Sequence, residues 1–212
     1  MAITEVIFPP LKTDQATIDE VNRNWPMVAK KLTDPNPGLL AAFCGWVLYE
    51  NEQDVRQDHR EIVILEWCDE SSFQAFFGSD QFAAFGNMIK HLLTGPPKME
   101  LYETSASPKE AAASRVVEII RLTVQGAESI GVVAQAWDKI SELYGKRINM
   151  TYGTSLNLET SLFVAILGWA SSEERSAISK ETAFLDGFNS LKSLAEASQL
   201  IVDVAAVDLP PV

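Results

Sequence analysis

Residues 62–89 read IVILEWCDESSFQAFFGSDQFAAFGNMI, and a second stretch that begins at Val164 reads VAILGWASSEERSAISKETAFLDGFNSL. In both stretches an apolar, strand-like run ends at a tryptophan, a short polar segment follows, and phenylalanine recurs at helical spacing. The residues that align, all at one offset of 102, are Ile64, Leu65, Trp67 and Phe82 with Ile166, Leu167, Trp169 and Phe184. This repetition predicts two copies of one structural unit in a single chain.

The first half of the sequence predicts the element order β-α-β-β-α-β. Pro9 and Pro10 end the first strand because proline cannot donate to a strand ladder, and Ser79 is a plausible cap for a helix restarted after Gly78. The predicted strands are Thr4–Phe8, Leu40–Tyr49, Glu61–Trp67 and Lys98–Glu103, and the predicted helices are Asp14–Leu32 and Glu70–Leu93. This order is that of a ferredoxin-like unit.

The second half repeats the order after a small, polar segment, SASPKEAAAS, at residues 105–114. Its predicted strands are Val116–Val124, Met150–Glu159, Leu162–Trp169 and Leu200–Val207, and its predicted helices are Glu128–Tyr144 and Ser172–Ser198. We therefore predict a first repeat over residues 1–104, a linker over 105–114 and a second repeat over 115–212.

Two such units predict an α+β barrel within one chain. Each four-stranded sheet carries its helices on one face, so the other face is apolar and needs a cover. Packing the two bare faces together gives tandem ferredoxin-like repeats in an intramolecular, pseudo-dimeric α/β barrel. Because that barrel buries both faces internally, the chain can be a monomer.

The pattern resembles the dimeric α/β-barrel superfamily, in particular antibiotic-biosynthesis-monooxygenase-like domains. The residues that carry the resemblance are ILEW, CDESSF and QAFFGSDQFAAF over 64–85, LLTGPP over 92–97 and the strand MELYE over 99–103. In the second half, ILGW at 166–169, Phe184 and the element order carry it. The superfamily includes cofactor-free oxygenases, haem-degrading enzymes, polyketide cyclases, decarboxylases, isomerases and stress proteins, so the resemblance implies a fold more than a reaction.

Charge and composition exclude several classes of partner. The net charge is −12 and the isoelectric point is about 4.6, whereas nucleic acids and anionic membranes attract basic surfaces. No apolar run is long enough to cross a bilayer, and the N-terminus, MAITEVIFPP, lacks the pattern of a signal peptide. Cys44 and Cys68 stand outside any CxxC motif and read as reduced thiols. We expect a cytoplasmic protein without nucleic-acid or membrane partners.

Metal and cofactor sites are not expected. The sequence has two histidines and no zinc spacing, P-loop, GxSxG motif or dinucleotide fingerprint. The haem-degrading relatives use an Asn on the first strand and a Trp and a His on the second helix. Alignment puts Ile7 or Ile120, Phe76 and Gly86 at those positions, so the resemblance does not extend to haem.

The strand pairs suggest where a small molecule binds. If Glu159–Leu162 is a hairpin with a two-residue loop, Tyr152 lies opposite Trp169 and Thr154 opposite Leu167. By analogy Phe43 lies opposite Trp67. In the resembled families the tryptophan points into a cleft between sheet and helices, which is where their substrates bind.

We predict that the second repeat carries the working pocket, because its residues are smaller and more polar. The first repeat fills this region with Phe73, Phe76, Phe77, Phe82 and Phe85, and the second places Arg175, Ile178, Ser179, Phe184 and Gly187 there. The candidate catalytic residues are Tyr152, Glu118 and Arg121, with Glu5 as the first-repeat counterpart of Glu118. The candidate substrate-binding residues are Trp169, Thr154, Phe184, Phe188, Trp67 and Phe43. Each also has a structural interpretation, since buried aromatic residues usually belong to a core.

Two functions remain open on this evidence. The first is a cofactor-independent enzyme of natural-product biosynthesis that cyclises, isomerises or dehydrates a hydrophobic aromatic or polyketide-like molecule by acid–base chemistry. A cofactor-free monooxygenase acting on the same substrate class is the alternative within enzymes. The second is a ligand-binding or stress protein without turnover, which a tightly filled cleft in both repeats favours.

Overall fold

The computed structural model describes residues 1–33, 35–124, 126, 129–158 and 161–209. The strands are β1 (Ala2–Phe8), β2 (Leu39–Glu50), β3 (Gln53–Asp54), β4 (Glu61–Trp67), β5 (Lys98–Thr104), β6 (Val116–Val124), β7 (Asn149–Ser155), β8 (Leu162–Trp169) and β9 (Ala195–Ala206). The helices are α1 (Gln15–Thr33), α2 (Glu70–Phe77), α3 (Asp80–Ile89), α4 (Lys109–Ala112), α5 (Ile130–Tyr144), α6 (Ser172–Ile178) and α7 (Thr182–Leu194). None of the described helices is long and apolar enough to cross a membrane.

Eight strands close into an antiparallel barrel in the order β2-β4-β1-β5-β7-β8-β6-β9, because β9 also pairs with β2. The short strand β3 extends the sheet at the β2 edge. The two repeats meet along two seams, β5 with β7 and β2 with β9. The predicted fold class, tandem ferredoxin-like repeats in an intramolecular barrel, is confirmed.

A glycine lies at each seam, where the strands of the two repeats approach closely. A Cβ atom on Gly45 of β2 would lie 1.8 Å from the carbonyl oxygen of Asp203. A Cβ atom on Gly153 of β7 would lie 1.8 Å from the carbonyl oxygen of Glu103. No side chain fits at that distance, so both seams depend on glycine.

The barrel separates three apolar clusters. Residues from both repeats fill the lumen, among them Val6, Ile62, Ile119 and Val164. Outside the barrel, α1, α2 and α3 cover the sheet of the first repeat, and α5 and α7 cover that of the second. Because successive side chains of a strand point to opposite faces, each strand places alternate side chains in the lumen and under one helical layer.

The helix boundaries agree with the sequence in the first repeat and differ in the second. Asp14 caps α1 by accepting from the Thr17 amide at 3.0 Å, and Ser79 caps α3 after the predicted break near Gly78. The single helix predicted over Ser172–Ser198 is wrong, because it divides into α6 and α7. It also ends earlier, since β9 begins at Ala195 where pairing with Val124 of β6 starts; strand pairing overrides local helix propensity there.

Two predicted boundaries fall partly outside the described residues. The helix predicted from Glu128 and the strand predicted to Glu159 include positions for which no structure is described. Within the described part, α5 begins at Ile130 and β7 ends at Ser155.

The segment over residues 105–114 connects the repeats and packs against the barrel. It contains α4, whose Ala111 and Ala112 are buried against the lumen cluster. Ser107 donates to Glu66 Oε2 at 2.9 Å, and the Ala106 amide donates to Thr151 Oγ1 at 3.1 Å. These contacts fix the connection to both repeats.

Candidate active site

Each repeat buries one glutamate against the indole of a tryptophan. In the first repeat Trp67 Nε1 donates to Glu5 Oε2 at 2.8 Å. In the second repeat Trp169 Nε1 donates to Glu118 Oε2 at 3.1 Å. Both glutamates lie on the outer face of the sheet, under the helices, with 2% and 3% of their surface exposed. The tryptophans that mark the sequence repeat thus anchor a repeated carboxyl site.

In the second repeat Arg175 closes this site. Its Nη2 donates to Glu118 Oε1 at 2.8 Å and its Nε to Glu118 Oε2 at 3.1 Å. A two-pronged guanidinium contact of this kind is strong and fixes the position of the carboxylate. Both carboxylate oxygens accept hydrogen bonds from protein groups, so neither is left for a ligand.

In the first repeat Phe73 stands at the position of Arg175, as the fourth residue of the helix that follows the tryptophan. No described residue forms an ion pair with Glu5. Burial therefore raises the pKa of Glu5 to about 7, against the smaller opposite effect of the Trp67 hydrogen bond.

Glu5 lies in the wall of an apolar cavity in the first repeat. The cavity has a volume of about 80 Å³ and lies between the outer face of β1 and β4 and the helices α1, α2 and α3. Its aromatic lining residues are Trp25, Phe73, Phe76, Phe77, Phe82 and Phe85. Flat apolar walls with few polar groups suit a hydrophobic ring system.

Glu61 is the second carboxyl of this cavity. It starts β4, is 7% exposed and has no hydrogen-bond or ion-pair partner among the described residues. Burial raises the pKa of Glu61 to about 7. A buried, unpaired carboxyl that titrates near neutral pH is suited to accepting and returning a proton.

A larger, open cleft adjoins the cavity. It has a volume of about 720 Å³ and lies between α1 and the outer face of β2 and β9. Val21, Trp25 and Glu61 line both the cleft and the cavity. Glu61 therefore stands where a molecule would pass from the cleft into the cavity.

Cys44 also lines the cleft and is unsuited to nucleophilic chemistry. Burial, with a smaller contribution from Glu61, raises the pKa of the Cys44 thiol to about 12, so the reactive thiolate is scarce at neutral pH. Cys44 and Cys68 are both free thiols. No group of three potential metal ligands occurs among the described His, Cys, Asp and Glu residues.

The strand registers predicted for the site are wrong in both repeats. Tyr152 pairs with Ala165 rather than Trp169, and Thr154 pairs with Phe163 rather than Leu167, because the β7–β8 connection is longer than two residues. The shift is four residues, which is even, so Tyr152 and Trp169 keep the same face.

In the first repeat the register error also assigns Phe43 to the wrong face of the sheet. Phe43 pairs with Ile64 instead of Trp67, a difference of three residues, and the register of β2 shifts by one residue between Leu39 and Ala41. A shift by an odd number of residues reverses the face. Phe43 therefore packs in the lumen, whereas Trp67 packs under the helices.

The second-repeat candidates pack together as a core. Trp169, Phe184 and Phe188 are buried in the outer cluster of that repeat. Tyr152 is half-buried and donates to Asp138 Oδ1 at 2.8 Å; burial and this contact raise the pKa of its hydroxyl to about 12. Neither described cavity is lined by Trp169, Tyr152, Thr154, Phe184 or Phe188.

Arg121 does not share a site with Glu118. It lies three positions further along β6, and its side chain points into the lumen on the opposite face. There its Nε donates to Glu100 Oε2 at 3.0 Å, and Tyr102 donates to the same oxygen at 2.8 Å. The guanidinium also lies 5.0 Å from the ring centre of Phe8. Arg121 thus belongs to a buried polar network inside the barrel.

Sequence reasoning missed Glu61, although a signal for it exists. In the strand EIVILEW, Glu61 alternates with Val63, Leu65 and Trp67, which places it on the face that bears the tryptophan. From the sequence alone, a charged residue at the start of a strand is usually assigned to the solvent-exposed surface. Only the position of α1 across that strand end shows that it is buried.

Comparison with known proteins places this geometry in a structural class. No protein family and no curated protein matches the sequence. Among solved structures, a "putative monooxygenase" from Lactobacillus acidophilus NCFM is similar at TM-score 0.66 and 11% identity, covering 100% of this chain and 98% of that one. An anthrone oxidase-like protein is similar at TM-score 0.68 and 8% identity, covering 100% and 97%. The chain has the tandem dimeric α/β-barrel fold.

A third similar structure supports the same assignment. A "putative monooxygenase" from Fusobacterium nucleatum subsp. nucleatum ATCC 25586 matches at TM-score 0.65 and 10% identity, covering 100% of this chain and 96% of that one. All three matches span both repeats of this chain. The resemblance to monooxygenase-like barrels predicted from the sequence is confirmed at the level of the fold.

Proposed function

We propose that this tandem barrel protein is a cofactor-independent enzyme that moves a proton on a hydrophobic aromatic or polyketide-like molecule, which enters the first-repeat cavity from the adjoining cleft. Glu61 is the base. The observation that carries the proposal is a buried carboxyl, with no ionic partner in the described structure and a pKa of about 7, in the wall of an aromatic cavity.

The proposed step is removal of a proton from a carbon beside a ring carbonyl or from a phenolic hydroxyl. Glu61 takes the proton, and the electron pair moves into the conjugated ring as an enolate or phenolate. A base works best when its pKa lies near the working pH, because it is then ionised and still basic. Return of the proton to another atom gives isomerisation, and loss of hydroxide or attack on a second carbonyl gives dehydration or cyclisation.

The second candidate is a cofactor-free oxygenase that acts on the same class of molecule. The names of the similar structures favour it, since they include an anthrone oxidase-like protein. After Glu61 removes the proton, the carbanion passes electrons to O₂ and forms a carbon-bound peroxide, which takes the proton back from Glu61 to become a hydroperoxide. Loss of water from that hydroperoxide leaves a carbonyl, so one CH₂ group and one O₂ give one C=O group and one H₂O.

Deuterium exchange and oxygen uptake separate these candidates. Anthrone in buffered D₂O is the probe, with its exchangeable CH₂ followed by NMR under argon and its oxygen uptake followed by electrode in air. Both candidates predict enzyme-dependent exchange under argon, and only the oxygenase predicts enzyme-dependent oxygen uptake. If the protein accelerates neither process while still binding the probe, the non-catalytic alternative is the better function.

Three variants locate the base. Glu61→Gln is expected to lower the exchange rate by about 10²–10⁴-fold, the usual contribution of a general base. Glu103→Gln, an exposed carboxylate on β5, controls for the loss of a charge and is expected to match the wild type. Tyr152→Phe tests the second-repeat site, and full activity in that variant is expected. A normal rate in Glu61→Gln would reject this base.

A further inference from the structure

We propose that Glu5 is a second functional residue of the cavity, a neutral carboxylic acid that donates a hydrogen bond to a carbonyl oxygen of the bound molecule. This inference rests on the proposed use of the first-repeat cavity and adds a residue that selects ligands with a carbonyl group. Glu61 takes a proton at one end of the cavity, and Glu5 selects a carbonyl at the other.

The second repeat shows which oxygen of Glu5 is available. In Glu118, the homologous carboxylate, Oε2 accepts from Trp169 and Oε1 accepts from Arg175. In Glu5, Oε2 accepts from Trp67 at 2.8 Å, and no described residue donates to or accepts from Oε1. The oxygen that Arg175 takes in one repeat is thus left for a ligand in the other.

The surroundings of Glu5 favour the neutral form. Leu65, which pairs with Glu5, and Ile7, on the same face of β1, are apolar, and an ionised carboxylate is costly in such a setting. The indole N–H of Trp67 is satisfied by the carbonyl oxygen of a protonated acid, which leaves the O–H at Oε1 free to donate. A neutral acid in an apolar site is a strong donor to a carbonyl.

The two carboxyl groups bracket the cavity along the strands. Glu5 pairs with Leu65 of β4, and Glu61 lies four residues from Leu65 on the same face. At the usual strand spacings the two Cα atoms are about 14 Å apart. A flat molecule of two or three fused rings is larger than the cavity of about 80 Å³, so it would extend past Glu61 into the adjoining cleft of about 720 Å³.

Few other charged groups face Glu5. Glu61 is the other titratable residue in the described lining of the cavity. On the neighbouring strand β5, Glu103 shares the outer face and is exposed. The described parts of α1, α2 and α3 contribute no charged side chain to the cavity lining. A response centred near pH 7 therefore reports Glu5 or Glu61, and variants of each separate the two.

The test compares fluorenone with fluorene, two flat molecules that differ by one carbonyl. Infrared spectroscopy of bound fluorenone reports a hydrogen bond as a shift of the carbonyl band to lower wavenumber. The shift is expected at pH 5.5 and lost at pH 8.5, because Glu5 loses its proton as pH rises through about 7. Fluorene affinity, which involves no carbonyl, is expected to be the same at both pH values.

Substitutions at Glu5 assign the donor. Glu5→Leu is expected to remove the band shift and to lower fluorenone affinity about threefold to tenfold, as for one hydrogen bond, with fluorene affinity retained. Glu5→Gln keeps an N–H donor that does not titrate, so its band shift is expected to persist at both pH values. Circular dichroism confirms folding, and Glu5→Gln remains informative if Glu5→Leu is unstable.

The outcomes separate this inference from the proposed function. A band shift that survives in Glu5→Leu, an unshifted band in the wild type at pH 5.5, or failure of both molecules to bind would each overturn the role of Glu5. Glu61→Gln is expected to lose proton exchange and to keep the pH-dependent band shift. If Glu61→Gln retains exchange while the shift still depends on Glu5, the base is rejected and the hydrogen-bond donor stands.

Discussion

Phe73 stands in the first repeat where Arg175 stands in the second, 102 residues further along the chain. Each side chain comes from the fourth residue of a helix that follows a glutamate-bound tryptophan. The charged residue satisfies Glu118, whereas the apolar residue leaves Glu5 unpaired beside an apolar cavity. One position therefore distinguishes a closed structural ion pair from a carboxyl that is available to a ligand.

The two unpaired carboxyl groups make stability depend on pH. Folding raises the pKa of Glu5 and of Glu61 from 4.5 to about 7. Between these values the unfolded chain has lost protons that the folded chain retains, so stability falls as pH rises from about 4.5 to 7 and then levels. The effect is on the order of 3 kcal/mol for each group. Denaturant unfolding at several pH values measures it.

Glutamine variants test whether Glu5 and Glu61 cause the pH dependence of stability. Glu5→Gln and Glu61→Gln are each expected to flatten the decline between pH 4.5 and 7, because the amide does not titrate. Glu103→Gln removes an exposed carboxylate and is expected to keep the wild-type slope. An unchanged slope in both Glu5→Gln and Glu61→Gln would show that other groups cause the pH dependence.

Arg175 is expected to stabilise the fold through Glu118. Arg175→Met leaves a carboxylate that is 3% exposed without its cation, at a cost of about 3 kcal/mol. The double variant Arg175→Met/Glu118→Gln removes the unpaired charge and is expected to recover part of that loss. The exposed pair Arg147–Glu181 is the control, where Arg147→Met is expected to cost much less because solvent screens the pair. Equal losses at both arginines would contradict the buried pair's role.

The seams between the repeats are expected to be sensitive to a single methyl group. Gly45→Ala and Gly153→Ala each place a Cβ atom 1.8 Å from a carbonyl oxygen of the partner strand, so the strands separate at a cost of about 1–3 kcal/mol. Gly86→Ala has no atom within 4 Å of the new Cβ and lies inside α3, so it is expected to stabilise by up to about 1 kcal/mol. Thermal unfolding of the three variants gives the comparison.

The sequence predicts most of the fold because its strands carry period-two patterns and its tryptophans repeat. Strands Glu61–Trp67, Val116–Val124 and Leu162–Trp169 begin and end at the predicted residues. The strand registers are harder to predict than the strands themselves. The bulge in β2, after which Phe43 points into the lumen, is not visible in the pattern of apolar residues.

The site is harder to predict than the fold, because a carboxyl's chemistry depends on what packs over it. Glu5 and Glu118 occupy equivalent strand positions, and the sequence suggests the polar second repeat as the pocket. In the structure the polar residue Arg175 neutralises its glutamate, and the bulky Phe73 lines the first-repeat cavity. Aromatic side chains can thus surround a cavity as well as fill one.

Transferring the arginine tests whether this position controls the cavity. Phe73→Arg would place a guanidinium beside Glu5, as Arg175 stands beside Glu118. The pKa of Glu5 is then expected to fall, because an adjacent cation favours the carboxylate, and the long side chain occupies the ligand's place. Fluorenone binding and anthrone exchange are both expected to fall by at least about tenfold.

Two controls separate charge from shape in that experiment. Phe73→Leu keeps the position apolar and is expected to retain measurable binding and the pH-dependent infrared shift. Phe73→Arg/Glu5→Leu removes the carboxylate that would pair with the new arginine, and a lower melting temperature than that of Phe73→Arg is expected because the buried cation loses its partner. If Phe73→Arg folds and still binds fluorenone as the wild type does, the residue at this position does not control the cavity.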